Sequence, residues 1–291
     1  MNLRLIIALA TLLLAGSALP AVADTPPAFE FRDADSRIIL LGSIHILPGS
    51  DRQLPPIIEE LVDTADRIVF ELPANELDPQ SVARIVMALG TIPGSGTLPD
   101  LIGSEDYQRL MELTSAADLP LAQLQRYEPW LLLIQYQALH LQRLGFTPDS
   151  GVEAQVKAMA RARELPMAGL ETARQQMKFF DDLPLDTQVA MLLQYLENID
   201  SSASEMAELV EAWRQGDLDR LDQLVAQSFK EQPELNEIFL ARRNRDWTRQ
   251  LQELLEIPGT SLVVVGAAHL AGPDSLPVLL RADGLAVNRL D

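Results

Sequence analysis

Ser261-Leu262-Val263-Val264-Val265-Gly266-Ala267-Ala268-His269 and Arg37-Ile38-Ile39-Leu40-Leu41-Gly42-Ser43-Ile44-His45 are the two stretches that decide the fold. Each is a nearly continuous apolar run without polar alternation, the signature of a strand covered on both faces. Each also ends in Gly-x-x-His, and the chain has only three histidines. Ligands of open parallel α/β sheets gather beyond the carboxyl ends of the strands. The pattern therefore aims two imidazoles, the side chains that titrate nearest neutrality and the commonest metal ligands, at one reactive edge.

The rest of the chain supports the same architecture. Ala28 to Arg32 and Ser36 to Leu41 flank the polar turn Asp33-Ala34-Asp35 and read as a hairpin. A helix is expected from about Pro55 to Asp66, followed by a buried strand, Arg67 to Leu72, that carries Glu71 near its end. Pro79 to about Ala162 reads as mostly helical, broken at Thr91–Gly96 and Gly145–Gly151. A short strand, Pro166 to Leu170, ends at Glu171. A second helical region is expected over about Thr187 to Glu256, with Gly216-Asp217 as a stop and a new N-cap. Ala286 to Leu290 reads as an edge strand. The class predicted is α/β: a central, mainly parallel sheet with flanking helices and large helical insertions at about 79–162 and 187–256, in one domain spanning 24–291.

Composition bounds the function. Residues 1–23 have the basic start, apolar core and Ala21-Val22-Ala23 ending of a cleaved signal peptide of Gram-negative type, which predicts a periplasmic or secreted protein with no stable membrane insertion after cleavage. With no cysteine, disulfides and thiol catalysis are ruled out. The formal charge of −19 repels phosphate backbones and anionic lipid, so nucleic acid is not an expected partner.

Four expected strand ends carry functional groups: His45, Glu71, Glu171 and His269. Two histidines and a carboxylate make an open site for a divalent metal. The third histidine, His140, is read as a surface or capping group. In the helix around Leu240, Trp247 and Leu251, Arg243 and Asn244 fall inside the apolar stripe, where an arginine needs a carboxylate or an anionic ligand to offset its desolvation.

These residues resemble the motifs of the TraB/GumN family, relatives of the Tiki proteases, over nearly the whole expected mature chain. The matching segments are Gly42-Ser43-Ile44-His45, Phe70-Glu71-Leu72, Gly151-Val152-Glu153, Gly169-Leu170-Glu171-Thr172, Arg243-Asn244 with Trp247, and Gly266-Ala267-Ala268-His269. Ser43 stands where threonine is usual, Glu153 where aspartate is usual, and Ala268 where glycine is common. Gln155 replaces a frequent histidine and is not claimed as a ligand. The resemblance implies a fold shared with erythromycin esterase-like and haem-binding ChaN-like proteins, and a metal-dependent peptidase activity.

The expectation carried forward is an exported metal-dependent hydrolase acting on a peptide or protein. His45, His269 and Glu71 would hold Mn, Co or Zn, with Glu71 as ligand or general base. Arg243 and Asn244 would stabilise an oxyanion, and Glu171 would orient a histidine. Two alternatives use the same crevice: a non-catalytic haem or small-ligand binder, and an envelope partner-binding protein with an inactive site.

Overall fold

The computed structural model describes residues 25–290, apart from 51–52, 74–75 and 77–78. The segment read as a signal peptide lies outside the described residues. Eight strands follow in chain order: β1 (Ala28–Arg32), β2 (Ser36–Ser43), β3 (Leu47–Pro48), β4 (Arg67–Phe70), β5 (Phe146–Thr147), β6 (Met167–Gly169), β7 (Gly259–Gly266) and β8 (Asn288–Arg289). Six form one sheet in the order β6-β4-β7-β2-β1-β8. Its four strands from β6 to β2 are parallel, and β1 and β8 add an antiparallel edge. The protein is thus mixed α/β with a mostly parallel central sheet, as the sequence predicts.

Strand periodicity sorts the core into two layers. Ile39 and Leu41 of β2 pack with Val264, Ile58, Val62, Val156 and Trp213 on one face. Ile38 and Leu40 pack with Val263, Val265, Trp247, Leu251 and Leu280 on the other. Successive side chains of a strand point to opposite faces, so a run apolar at every position needs helices on both sides. A third core, including Leu98, Leu110, Leu132, Tyr136, Leu192 and Leu196, joins helices of the two insertions away from the sheet.

Several boundaries differ from expectation. The strand expected to reach Leu170 ends at Gly169, and the interval before Thr187 contains a helix, Ala173–Asp181. Thr172 and Gln175 cap it reciprocally: the Thr172 hydroxyl accepts from Gln175 N at 3.2 Å, and the Gln175 side chain accepts from Thr172 N at 2.7 Å. This is the Thr-x-x-Gln capping signature, which the sequence contains. The break expected at Gly145–Gly151 holds β5, which pairs with β3 in a separate two-stranded sheet. The edge strand expected from Ala286 shrinks to Asn288–Arg289. Gly216 adopts a positive φ, and Asp217 caps the next helix by accepting from Arg220 N at 2.9 Å. His140 sits partly exposed in the last turn of Pro129–Arg143, as read.

Register places the functional edge. In the parallel β2–β7 pair, Gly42 lies opposite Val265 and Ser43 opposite Gly266, so the two Gly-x-x-His segments leave the sheet side by side. The helix Ser202–Arg214 is tied to this edge by Trp213, fully buried, whose indole N–H donates to the Gly42 carbonyl at 2.8 Å. Replacing Trp213 with Phe orphans that buried carbonyl, which typically costs about 1–3 kcal/mol. Urea denaturation is expected to show a loss of that size in Trp213→Phe; an unchanged midpoint would mean the tie contributes nothing.

Candidate functional site

Beyond the carboxyl ends of β2, β4, β6 and β7 the chain assembles a polar cluster centred on Arg243. A guanidinium has five N–H donors, and here all are engaged. Nε donates to Glu171, 3.0 and 3.2 Å from its two oxygens. One terminal nitrogen reaches Glu71 Oε2 at 2.7 Å and Glu171 Oε2 at 3.0 Å. The other reaches the Phe239 carbonyl at 3.0 Å and His269 Nε2 at 3.2 Å. Arg243 also lies over the Trp247 ring, 4.6 Å from its centroid. The stripe position of Arg243 predicts this burial, and Glu71 and Glu171 are the carboxylates that answer it. Their side chains are only 9 % exposed.

His269 is locked at both nitrogens. Asn244 donates its amide to the Asp274 carbonyl at 2.8 Å, which turns its Oδ1 toward His269 Nδ1, 2.5 Å away. His269 is therefore the neutral Nδ1–H tautomer, with Nε2 accepting from Arg243. Burial pushes its pKa down to about 3, against the pull of Glu71, and Arg243 and His45 add to the drop. Glu71 moves the other way from what burial alone would dictate. Desolvation raises its pKa, but the neighbouring His269, Arg243 and His45 and the N–H of Gly266, which donates to Oε1 at 2.8 Å, hold it down at about 2. Arg243 is the fixed charge among these, since His269 stays neutral. Gln176 of the Ala173–Asp181 helix donates to Glu71 Oε2 at 3.0 Å.

His45 is different. Its side chain is 65 % exposed, and its Nδ1 lies 2.6 Å from Glu153 Oε1, an oxygen that also accepts from the Ser43 hydroxyl. The Glu153 carboxylate raises the His45 pKa to about 9 against a desolvation penalty. Solvent around so exposed a ring screens the attraction, which puts the working value between the ordinary 6.5 and that figure. Gly151 makes the pairing possible: a Cβ there would lie 2.1 Å from the His45 carbonyl oxygen. Gly266 forms the floor between the two halves. A Cβ on it would sit 3.3 Å from Glu71 Oε1, 3.6 Å from His45 Nε2 and 3.7 Å from His269 Cδ2.

Thus the structure brings His45, Glu71, Glu171, Arg243, Asn244 and His269 into one site, and gives several of them roles other than those expected. Arg243 has no N–H left for an oxyanion. Asn244 sets a histidine tautomer, and Glu171 orients Arg243 rather than a histidine. Glu153, Ser43 and Gln176 were not singled out as site residues. Glu153 had a signal, since Gly151-Val152-Glu153 is among the motif segments, but its partner is far off in sequence.

For Mn, Co or Zn the donors are the test. With His269 Nε2 turned to a guanidinium, the free lone pairs facing Gly266 belong to His45 Nε2 and Glu71 Oε1. A catalytic zinc site takes three protein ligands. Among the described residues no group of three His, Cys, Asp or Glu is placed to hold a metal ion. In this arrangement the residues do not fit the expected metal. The same engagement of His269 leaves it no nitrogen for a haem iron.

A mostly parallel α/β sheet with a buried arginine–carboxylate cluster and an exposed histidine–carboxylate pair at its carboxyl edge defines the class of protein. The sequence model of the TraB/PrgY/gumN family matches residues 28–289, and the chain belongs to that family. It is similar to the uncharacterized protein YbaP of Escherichia coli K12, at 24 % identity over 242 residues, covering 83 % of this chain and 87 % of that one. It is also similar to an uncharacterized protein of Treponema pallidum, at 24 % identity over 271 residues, covering 87 % and 79 %. No solved structure matches.

A buried histidine held neutral links stability to pH. The folded-state pKa of His269, about 3, lies below the unfolded value of 6.5, so between these pH values the unfolded chain binds the extra proton. The contribution is complete above pH 6.5 and is lost as pH falls toward 3, at about 1.4 kcal/mol per pH unit mid-window. Denaturation series at pH 6 and pH 4.5 are expected to show this slope in the native chain and a slope shallower by one proton in His269→Gln. Equal slopes would mean that His269 is not held neutral.

Proposed function

We propose that the chain is an exported hydrolase that cleaves an amide or ester bond of a peptide or protein, with His45 as general base and then general acid. The observation that carries this reading is the His45–Glu153 pair standing over the bare face of Gly266. Glu153 accepts from Nδ1 of the imidazole and so turns Nε2 toward the floor, the orienting role of a carboxylate beside a catalytic histidine. A water placed on that floor would be within reach of both Nε2 and Glu71 Oε1. As the water attacks the substrate carbonyl carbon, Nε2 takes its proton; when the tetrahedral intermediate collapses, the same proton passes to the departing amine or alcohol. Glu71, ionised at any working pH and held by Arg243, stabilises the imidazolium that forms in between. A carboxylate whose pKa is near 2 is too weak a base for the proton transfer itself, which assigns that role to His45.

The fold reading that accompanies this proposal is the erythromycin esterase-like and ChaN-like one. Export rests on the composition of residues 1–23; among the described residues no helix is long and apolar enough to cross a membrane. Since no step passes through a metal, activity is expected to survive a chelator and to be unmoved by Mn, Co or Zn.

Because neutral His45 is the base, the rate is expected to rise with pH through an apparent pKa between 6.5 and about 9. Glu153→Gln should lower that pKa and cut kcat by on the order of a hundredfold or more. Gly266→Ala is the cleaner probe. Its backbone, φ −51°, suits any residue, and the added methyl enters the space between Glu71 and His45. The variant should fold with little change in Tm and lose activity. A His45→Ala chain that hydrolyses peptide and ester substrates as fast as the native one, or a native chain that hydrolyses none of them, would sink the proposal.

A further inference from the structure

The helix Ala173–Asp181 overlooks the site with one face. Gln176, Phe179 and Phe180 are spaced three and four apart, the interval that stacks side chains on a helix surface. Gln176 bonds Glu71, and the Phe179 ring lies 5.4 Å from Cζ of Arg243. The same ring lies 5.4 Å from Cζ of Arg242. Two adjacent guanidiniums share one aromatic ring, yet they are in opposite states.

Arg243 has every donor engaged. Arg242 is exposed, and among the described residues its side chain makes neither a hydrogen bond nor an ion pair. This is not for want of acid, since the chain has 42 Asp and Glu against 23 Lys and Arg. Its helix neighbours Arg245 and Arg249 are both paired, with Glu237 and Asp246. Next to Phe179 the aromatic surface continues. Phe180 and Phe239 stand 4.7 Å apart, and Phe239 and Phe229 6.3 Å apart, all of them half-buried. Four of the eight phenylalanines of the chain gather here.

We propose that Arg242, held on Phe179, binds a carboxylate of the substrate, and that the Phe180–Phe239–Phe229 row receives an apolar side chain beside it. This inference rests on the hydrolase reading and names its substrate class: a peptide with a carboxylate close to the cleaved bond and an apolar residue next to it. The guanidinium fork matches a carboxylate in a bidentate pair. Stacking on an aromatic face already restricts the side chain, which lowers the entropy lost when the carboxylate arrives. The negative field of the whole chain repels an acidic substrate, so one free cation beside the site decides where such a group is accepted.

The carboxylate has two sources, a C-terminus or an Asp or Glu side chain, and the test separates them. The full chain is assayed on matched peptides with a Phe near the cleaved bond: free-acid against amidated C-termini, then Glu against Gln beside the bond. The native chain is expected to prefer one carboxylate form by about tenfold to a hundredfold in kcat/KM, chiefly through KM, and Arg242→Gln to bring that ratio near one. Which pair shows the preference identifies the source. No preference in either pair, or a preference that survives Arg242→Gln at native Tm, overturns the inference. Peptide binding to His45→Ala, followed by fluorescence anisotropy, keeps the two readings apart. Carboxylate-dependent binding lost in His45→Ala/Arg242→Gln, alongside a native chain without turnover, supports the Arg242 site while removing the hydrolase. Turnover indifferent to Arg242 does the reverse.

Discussion

The tie between Arg243 and the two carboxylates Glu71 and Glu171 is the constraint on which the site depends. Taking one cation and two anions out of water is costly unless each finds partners, and removing one member leaves the others buried and unpaired. Here the arginine lies on a helix of the second insertion, while the carboxylates stand at the ends of β4 and β6. Satisfying one buried charge therefore fixes a helix against two strands. The same guanidinium caps His269 Nε2, so the geometry of the buried histidine follows from the ion cluster.

This division of labour separates the two Gly-x-x-His histidines. One is neutral, buried and hydrogen-bonded at both nitrogens; the other is exposed, paired with Glu153 at one nitrogen and open at the other. Identical motifs and aligned register produce different chemistry because the surroundings differ. Arg243 and Asn244 flank His269, whereas Ser43 and Glu153 flank His45. One half is fixed by its hydrogen bonds, and the other keeps a ring nitrogen open.

The fold was legible where burial dictates pattern. The apolar runs at 37–41 and 261–265 announced a covered parallel sheet, and Gly216-Asp217 announced a helix break. The helix Ala173–Asp181 was missed because its strongest signals are a capping pair and an amphipathic face, not a long apolar run. Strand ends revealed His45, Glu71, Glu171 and His269 as neighbours, and the stripe around Trp247 revealed Arg243 as buried. Which nitrogen meets which oxygen was not legible. Hydrogen-bond occupancy depends on side-chain direction across contacts such as Ser43 to Glu153, 110 residues apart. Three ligand-type residues in one place look like a metal site until their lone pairs are followed one by one.

The order of strands has a consequence for how the molecule comes into being. β7 is the seventh strand made, yet it sits at the centre of the sheet, between β4 and β2. Until the C-terminal part of the chain has left the ribosome, β2 and β4 have no common neighbour, Glu71 lacks the Gly266 N–H, and Arg243 lacks His269. Long-range strand pairing of this kind is slow to form. A nascent or C-terminally truncated chain therefore carries most of the site residues without a site. The site assembles only when the last strands insert, so a polypeptide still being synthesised lacks the Gly266–Glu71 and Arg243–His269 contacts.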